Sequence, residues 1–128
     1  MPVLRHIYVH VPFCARRCSY CDFSIAVRRV VPVARYIDAI KAELVTDPIW
    51  DVSGPVDTLY IGGGTPSRLG GAGVGEVIAA VSEVYKNITV KSTEITIEAN
   101  PEDVSPETAR GWVEAGVGRV SLGVRSEE

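Results

Sequence analysis

The sequence predicts an α/β fold: a parallel sheet in the order β-α-β-α-β-α-β, the N-terminal half of a βα barrel. Three observations carry this reading. Four short stretches, 5–11, 56–61, 93–99 and 119–124, alternate or run apolar as strands do. Three stretches between them repeat apolar residues at helical spacing. Strands joined through helices pair in parallel by right-handed crossovers. Four strands and three helices do not close a barrel, since eight βα units take roughly 250 residues.

Each element has its own justification. In strand one, Arg5–Val11, His6, Tyr8 and His10 share one face and Ile7, Val9 and Val11 the other. Pro12 ends it, and a cysteine-bearing loop follows over 12–24. Helix one is predicted over 32–46, with Pro32 in its first turn and Val33, Tyr36, Ile37, Ile40 and Leu44 as its apolar stripe. Asp38, Lys41 and Glu43 form its solvated face. Strand two, 56–61, runs into Gly62-Gly-Gly-Thr-Pro66. Helix two is predicted over 73–86 on Val74, Val77, Ile78, Val81 and Tyr85. Its glycine-heavy lead, Gly70-Gly-Ala-Gly-Val-Gly75, predicts a late or frayed start, because each interior glycine costs about 1 kcal/mol against alanine. Strand three, 93–99, closes at Asn100-Pro101. Helix three has Ser105 as cap, Pro106 as first residue and Gly116 as stop, and strand four follows at 119–124. Trp50 and Trp112 read as packing residues. Strand four is expected to be an unpaired edge, with exposed apolar surface on the barrel-facing side and a tendency to self-associate. The 128 residues are expected to form one partial core domain of a longer protein, whose remaining barrel strands and C-terminal region lie beyond it.

Composition narrows the function classes. The chain is 46% apolar and 23% charged, enough to build a core. A net charge of −3 gives no electrostatic reason to expect nucleic acid. No apolar run approaches the ~20 residues that span a bilayer. Met1-Pro-Val-Leu-Arg-His6 lacks a signal peptide's apolar region, so a cytoplasmic location is expected.

Chemistry concentrates in the cysteines. Cys14, Cys18 and Cys21 are the only three, an odd number at tight spacing, which argues for metal or redox chemistry over disulfides. An iron–sulfur cluster normally takes four thiolates. Three would leave one iron of a four-iron cluster open to chelate a small amino acid through its amine and carboxylate. Arg16 and Arg17 would offset the negative charge. The alternatives are a structural zinc site, for which only His6, His10 or Asp22 could supply a fourth ligand, and unliganded cysteines.

Two further features sit at strand ends, where α/β folds place ligands. The turn at Gly62–Thr65 lets backbone approach a ligand closely, or is simply a tight turn. It lacks the lysine of a phosphate-binding loop and the spacing of a dinucleotide fingerprint. Glu98 lies nearest the C-terminal rim of strand three, sharing a face with Glu94 and Thr96; position alone leaves it a solvated edge or a ligand contact, and does not make Glu94 and Glu98 an acid–base pair. Tyr8 leads into the cysteine loop on the face of His10, where core packing is an equal reading.

The cysteine string, with Tyr20 before its last member, resembles the signature of the radical S-adenosylmethionine (SAM) superfamily. The strings Tyr8-Val-His-Val-Pro-Phe-Cys14, Asp57-Thr-Leu-Tyr-Ile-Gly-Gly-Gly-Thr-Pro-Ser67 and Glu94-Ile-Thr-Ile-Glu-Ala-Asn-Pro-Glu-Asp103 narrow the resemblance to the oxygen-independent coproporphyrinogen III oxidase-like family. The resemblance implies a partial TIM-type barrel of the radical SAM kind, with Cys14, Cys18 and Cys21 on a [4Fe–4S] cluster. Gly63, Gly64 and Thr65 would line the SAM site and receive the methionine amino group, with Tyr8, Tyr20 and Glu98 as further SAM contacts. An electron from the cluster would cleave the sulfonium and release a 5′-deoxyadenosyl radical, which in the oxidase attacks propionate side chains. Where the oxidase proper carries another cysteine this chain has Phe23, and Cys21-Asp22-Phe23 resembles the family's haem chaperone branch. After strand four the family reads Gly-Val-Gln-Ser-Phe; here Arg125 stands at the glutamine of the SAM site. The implied partners are haem or a porphyrin, an electron donor such as a flavodoxin or ferredoxin, and haem-acceptor proteins, with the membrane as one meeting place. A coproporphyrinogen dehydrogenase is the enzymatic alternative.

Overall fold

The computed structural model describes residues 5–14, 26–27, 32–46, 54–89 and 91–123, with backbone alone at Cys14, Ala26, Val27 and Thr46. In chain order the elements are β1 (His6–Val11), β2 (Phe13–Cys14), β3 (Ala26–Val27), α1 (Val33–Thr46), β4 (Thr58–Gly63), a 3₁₀ turn (Pro66–Leu69), α2 (Gly70–Val84), β5 (Glu94–Ala99), a second 3₁₀ turn (Pro101–Asp103), α3 (Pro106–Ala115) and β6 (Arg119–Leu122). Four strands pair in parallel in the order β1-β4-β5-β6, and β2 pairs with β3 in a separate two-stranded ladder. This is the predicted parallel α/β half-barrel.

The pleat sorts side chains by face. Val9 and Val11 of β1, Leu59 and Ile61 of β4, and Ile95, Ile97 and Ala99 of β5 are buried in one core with Ile37 of α1 and Val74, Val77, Ile78 and Val81 of α2. Each valine, leucine or isoleucine among them contributes about 1.5–3 kcal/mol when fully buried. Trp112 of α3 closes this layer at 1% exposure, as a packing residue should; Trp50 lies outside the described residues.

Helix α3 follows its sequence signals. The Ser105 side chain accepts from the Thr108 amide, the Thr108 hydroxyl reciprocates at the Ser105 amide, Pro106 opens the helix, and Gly116 ends it in left-handed geometry. Two boundaries differ from expectation. Helix α2 starts at Gly70 instead of 73, and its early glycines have a packing reason: a Cβ on Gly71 would stand 3.2 Å from the Gly111 Cα of α3. Close packing of two backbones outweighs glycine's poor helix propensity. Strand β4 runs on through Gly62 and Gly63, because those residues keep the register of His10 and Val11.

The expectation of an apolar barrel-facing side is corrected. The face opposite the helices carries His6, Tyr8, Thr58, Tyr60, Glu94, Glu98 and Arg119, with Tyr8 58% exposed. Among the described strand residues the exposed large aliphatic side chains are Val120 and Leu122, in register with Ile97 and Ala99 on the helix side of β6. Among the described residues β6 is an edge strand, as expected.

Candidate functional site at the strand ends

Parallel pairing brings the C-terminal ends of β1, β4 and β5 together, and Tyr8, Gly63, Gly64, Thr65 and Glu98 gather there. The glycine turn is fastened to the segment that leads into the cysteines. The Gly64 amide donates to the Val11 carbonyl at 2.7 Å, and the Thr65 amide donates to the Phe13 carbonyl at 2.7 Å, one residue before Cys14. Cys14 itself ends β2 and pairs in register with Val27, so the chain enters and leaves the cysteine segment side by side. Cys18, Tyr20 and Cys21 lie outside the described residues, as do Arg16, Arg17, Asp22, Phe23 and Arg125.

Glu98 faces the turn and is neither a free edge carboxylate nor paired with Glu94. Its Oε1 accepts the Gly63 amide at 3.0 Å and its Oε2 accepts the Tyr60 hydroxyl at 2.7 Å. Glu94, four residues earlier on the same strand face, instead meets Arg119 at 3.2 Å. Tyr8 lies over Tyr60, with ring centroids 5.8 Å apart and planes at 12°, and Gly62 lies beneath both: a Cβ there would come within 2.9 Å of the Tyr8 hydroxyl, Tyr60 and Glu98. Burial, and then the Glu98 charge, push the Tyr8 phenol above its ordinary pKa of 10. Tyr60 is raised first by its hydrogen bond to Glu98, then by burial and the same charge, while a hydrogen bond with Ser121 pulls the other way.

The amides of Gly63, Gly64 and Thr65 are all engaged within the protein. A phosphate-cradling loop needs such N–H groups free. What stands beside the turn is the Glu98 carboxylate, a negative charge that suits a cationic amino group. Gly63 has a φ of +117°, and a Cβ there would meet both the Val11 carbonyl and His10 Nδ1 at 2.7 Å, so only a bare backbone fits against β1. The residues present therefore fit the amino-acid end of SAM.

Several contributors were not read from the sequence. Tyr36 of α1 donates its hydroxyl to the His10 carbonyl at 2.5 Å and packs edge-on against Phe13, so α1 steadies the approach to Cys14. Burial chiefly, with the charges of Glu43 and Tyr8, pushes its phenol far up. Tyr60 could have been found from the alternation of Thr58, Tyr60 and Gly62 on one strand face. Ser67, whose hydroxyl donates to Asp103 at 2.7 Å, had no local signal.

The sequence matches the Radical SAM superfamily over residues 8–126. It is 34% identical over 125 residues to the heme chaperone HemW of Bacillus subtilis, covering 98% of this chain and 33% of that protein. It is 36% identical over 121 residues to HemW of Escherichia coli K12 (94% and 32%), and 39% identical over 123 residues to HemW of Mycobacterium tuberculosis (94% and 31%). The chain thus spans about a third of the length of these curated relatives. Among solved structures it is similar to coproporphyrinogen III oxidase (HemN) from Escherichia coli, a radical SAM enzyme, with a TM-score of 0.83 and 29% identity over 98% of this chain and 29% of that one. The chain belongs to the radical SAM superfamily, whose model reaches every strand and helix described above, and its half-barrel matches that of a radical SAM enzyme.

Proposed function

We propose that Cys14, Cys18 and Cys21 hold a [4Fe–4S] cluster, and that Gly63, Gly64 and Thr65, with Tyr8, Tyr20 and Glu98, hold SAM beside it, in a protein that binds haem and passes it to respiratory haemoproteins. The observation that carries this reading is the pair of 2.7 Å hydrogen bonds from Gly64 and Thr65 to Val11 and Phe13. They fasten the turn next to the first cysteine, where a ligand chelated at an open iron would put its amino-acid end. When bound, the cluster and SAM together supply one-electron cleavage of a sulfonium. Glu98 fixes the turn through the Gly63 amide, and its negative charge would favour the ligand's ammonium there.

The haem chaperone function draws its support from the curated relatives and from Phe23. Haem or a porphyrin, a flavodoxin- or ferredoxin-type electron donor and haem acceptors are the partners this reading requires. Residues 1–128 then make up a partial radical SAM core domain. No helix among the described residues is long and apolar enough to cross a membrane.

Anaerobic reconstitution tests the cluster. The expected product holds about four irons and four sulfides per chain, absorbs broadly near ~400 nm, and loses both on Cys14→Ser. One tetrahedral metal ion without sulfide would refute it and leave the zinc site. The solved oxidase structure favours a second reading, coproporphyrinogen dehydrogenation. Haem binding without turnover of coproporphyrinogen III is expected; turnover would decide for the enzyme.

A further inference from the structure

We propose that Ser67 and Asp103 are positioning residues for SAM: a hydrogen-bonded clasp that sets where the glycine turn stands relative to the end of β5. This rests on the reading above that the turn receives the ligand's amino group.

Three successive glycines bring no side chains and the widest backbone freedom of any residue, so the turn's position must be imposed by its flanks. On the near side Glu98, Val11 and Phe13 take the amides of Gly63, Gly64 and Thr65. On the far side the anchor is Ser67. It is buried, and its hydroxyl donates to Asp103 Oδ2 at 2.7 Å while accepting the Asn100 amide at 3.2 Å. Pro66, between turn and anchor, is fully buried, and its fixed φ carries Ser67's position back to Thr65. Asp103 is itself held at both ends of its backbone. Its amide donates to the Asn100 carbonyl at 3.0 Å, and its carbonyl accepts the Thr108 hydroxyl at 3.1 Å. Thr108 is half of the α3 capping box. Hydrogen bonds therefore link the cap of α3 to Asp103 and Asp103 to Ser67, and the backbone through Pro66 carries that constraint to the turn. A hydrogen bond to a charged group, here partly buried, is among the stronger ones, and breaking it leaves buried Ser67 without that partner. Its loss would free the far side of the turn and leave the strand ladders whole.

The test uses the full chain, reconstituted anaerobically, with Ser67→Ala, Asp103→Ala, Asp103→Asn and the double alanine variant. SAM dissociation constants, iron and sulfide content, and amide hydrogen exchange in the cluster-free protein are measured together. Ser67→Ala and Asp103→Ala are expected to weaken SAM binding about tenfold. The double variant should be no worse than either single one, and iron and sulfide should be unchanged. Exchange should quicken at Gly63, Gly64 and Thr65 but not in β1 or β4. Asp103→Asn keeps a carbonyl acceptor and should restore both readouts. Wild-type affinity in the alanine variants overturns the clasp alone. Faster exchange spread over the whole sheet, or an asparagine variant as weak as the alanine one, also overturns it. A wild-type chain that carries its cluster yet binds no SAM overturns the functional reading as well, even if the local exchange pattern holds.

Discussion

Gly63→Ala measures how tightly the turn is pressed against β1. Gly63 has a φ of +117°, where an L side chain is strained by about 1–2 kcal/mol. Its Cβ would also stand 2.7 Å from His10 Nδ1 and from the Val11 carbonyl oxygen. The imidazole can swing away. The carbonyl cannot, because it accepts the Gly64 amide at 2.7 Å, and moving it breaks the bond that fastens the turn. Crowding of this kind costs about 1–3 kcal/mol, so the sum is about 2–5 kcal/mol. Gly70→Ala reads strain without crowding: at φ +74° and ψ 177°, a conformation essentially reserved to glycine, nothing lies within 4 Å of the added Cβ. Urea unfolding of both variants beside the parent chain reads the two losses. Gly63→Ala should lose about 2–5 kcal/mol, with an unchanged slope. A loss below about 1 kcal/mol would refute the close approach of turn and strand.

Two other expectations follow from the same contacts. Tyr36 and Tyr60 have phenols raised above 10, so the folded chain keeps protons that the unfolded chain releases. Their contribution is fully present below about pH 10 and is lost as pH climbs through the folded values, so urea midpoints should fall above about pH 10 and Tyr36→Phe should flatten that fall. Gly111→Ala would set a Cβ 3.0 Å from the Gly71 Cα and should destabilise by about 1–2 kcal/mol, despite the helix propensity gained. Gly75→Ala meets only the Ala115 Cβ at 3.7 Å and should stabilise by about 0.5–1 kcal/mol; thermal melts of the pair check both signs.

The fold was legible where local chemistry decides it. The alternation of His6, Tyr8 and His10 against Ile7, Val9 and Val11 separates the two faces of β1, and the Ser105–Pro106–Gly116 punctuation sets α3. It was misread where a distant partner decides. Gly71 belongs inside α2 because Gly111 packs against it, forty residues on. Gly62 and Gly63 belong to β4 because β1 pairs with them. The candidate site divides in the same way. Glycines after a strand and a glutamate at a strand end stand out in one dimension. The Ser67–Asp103 and Tyr36–His10 contacts join residues 36 and 26 positions apart, and no spacing rule announces them.

The family strings nevertheless carried that missing information in another form. Asp57–Ser67 and Glu94–Asp103 look like two independent motifs, yet side-chain hydrogen bonds tie them together, among them Gly63 and Tyr60 to Glu98 and Ser67 to Asp103. A βα unit returns each strand beside the last, so residues at the same height on β4 and β5 become neighbours whatever the length of helix between them. The third string, Tyr8–Cys14, is joined to the first through Val11 and Phe13. Matching all three therefore identifies one three-dimensional object, a turn of bare backbone gripped from two sides, with its amides engaged and a carboxylate beside it. The absence of a phosphate-loop lysine argued against nucleotide triphosphates from sequence. The commitment of the three amides argues the same from geometry, and the two lines are independent because a lysine elsewhere would not free those N–H groups.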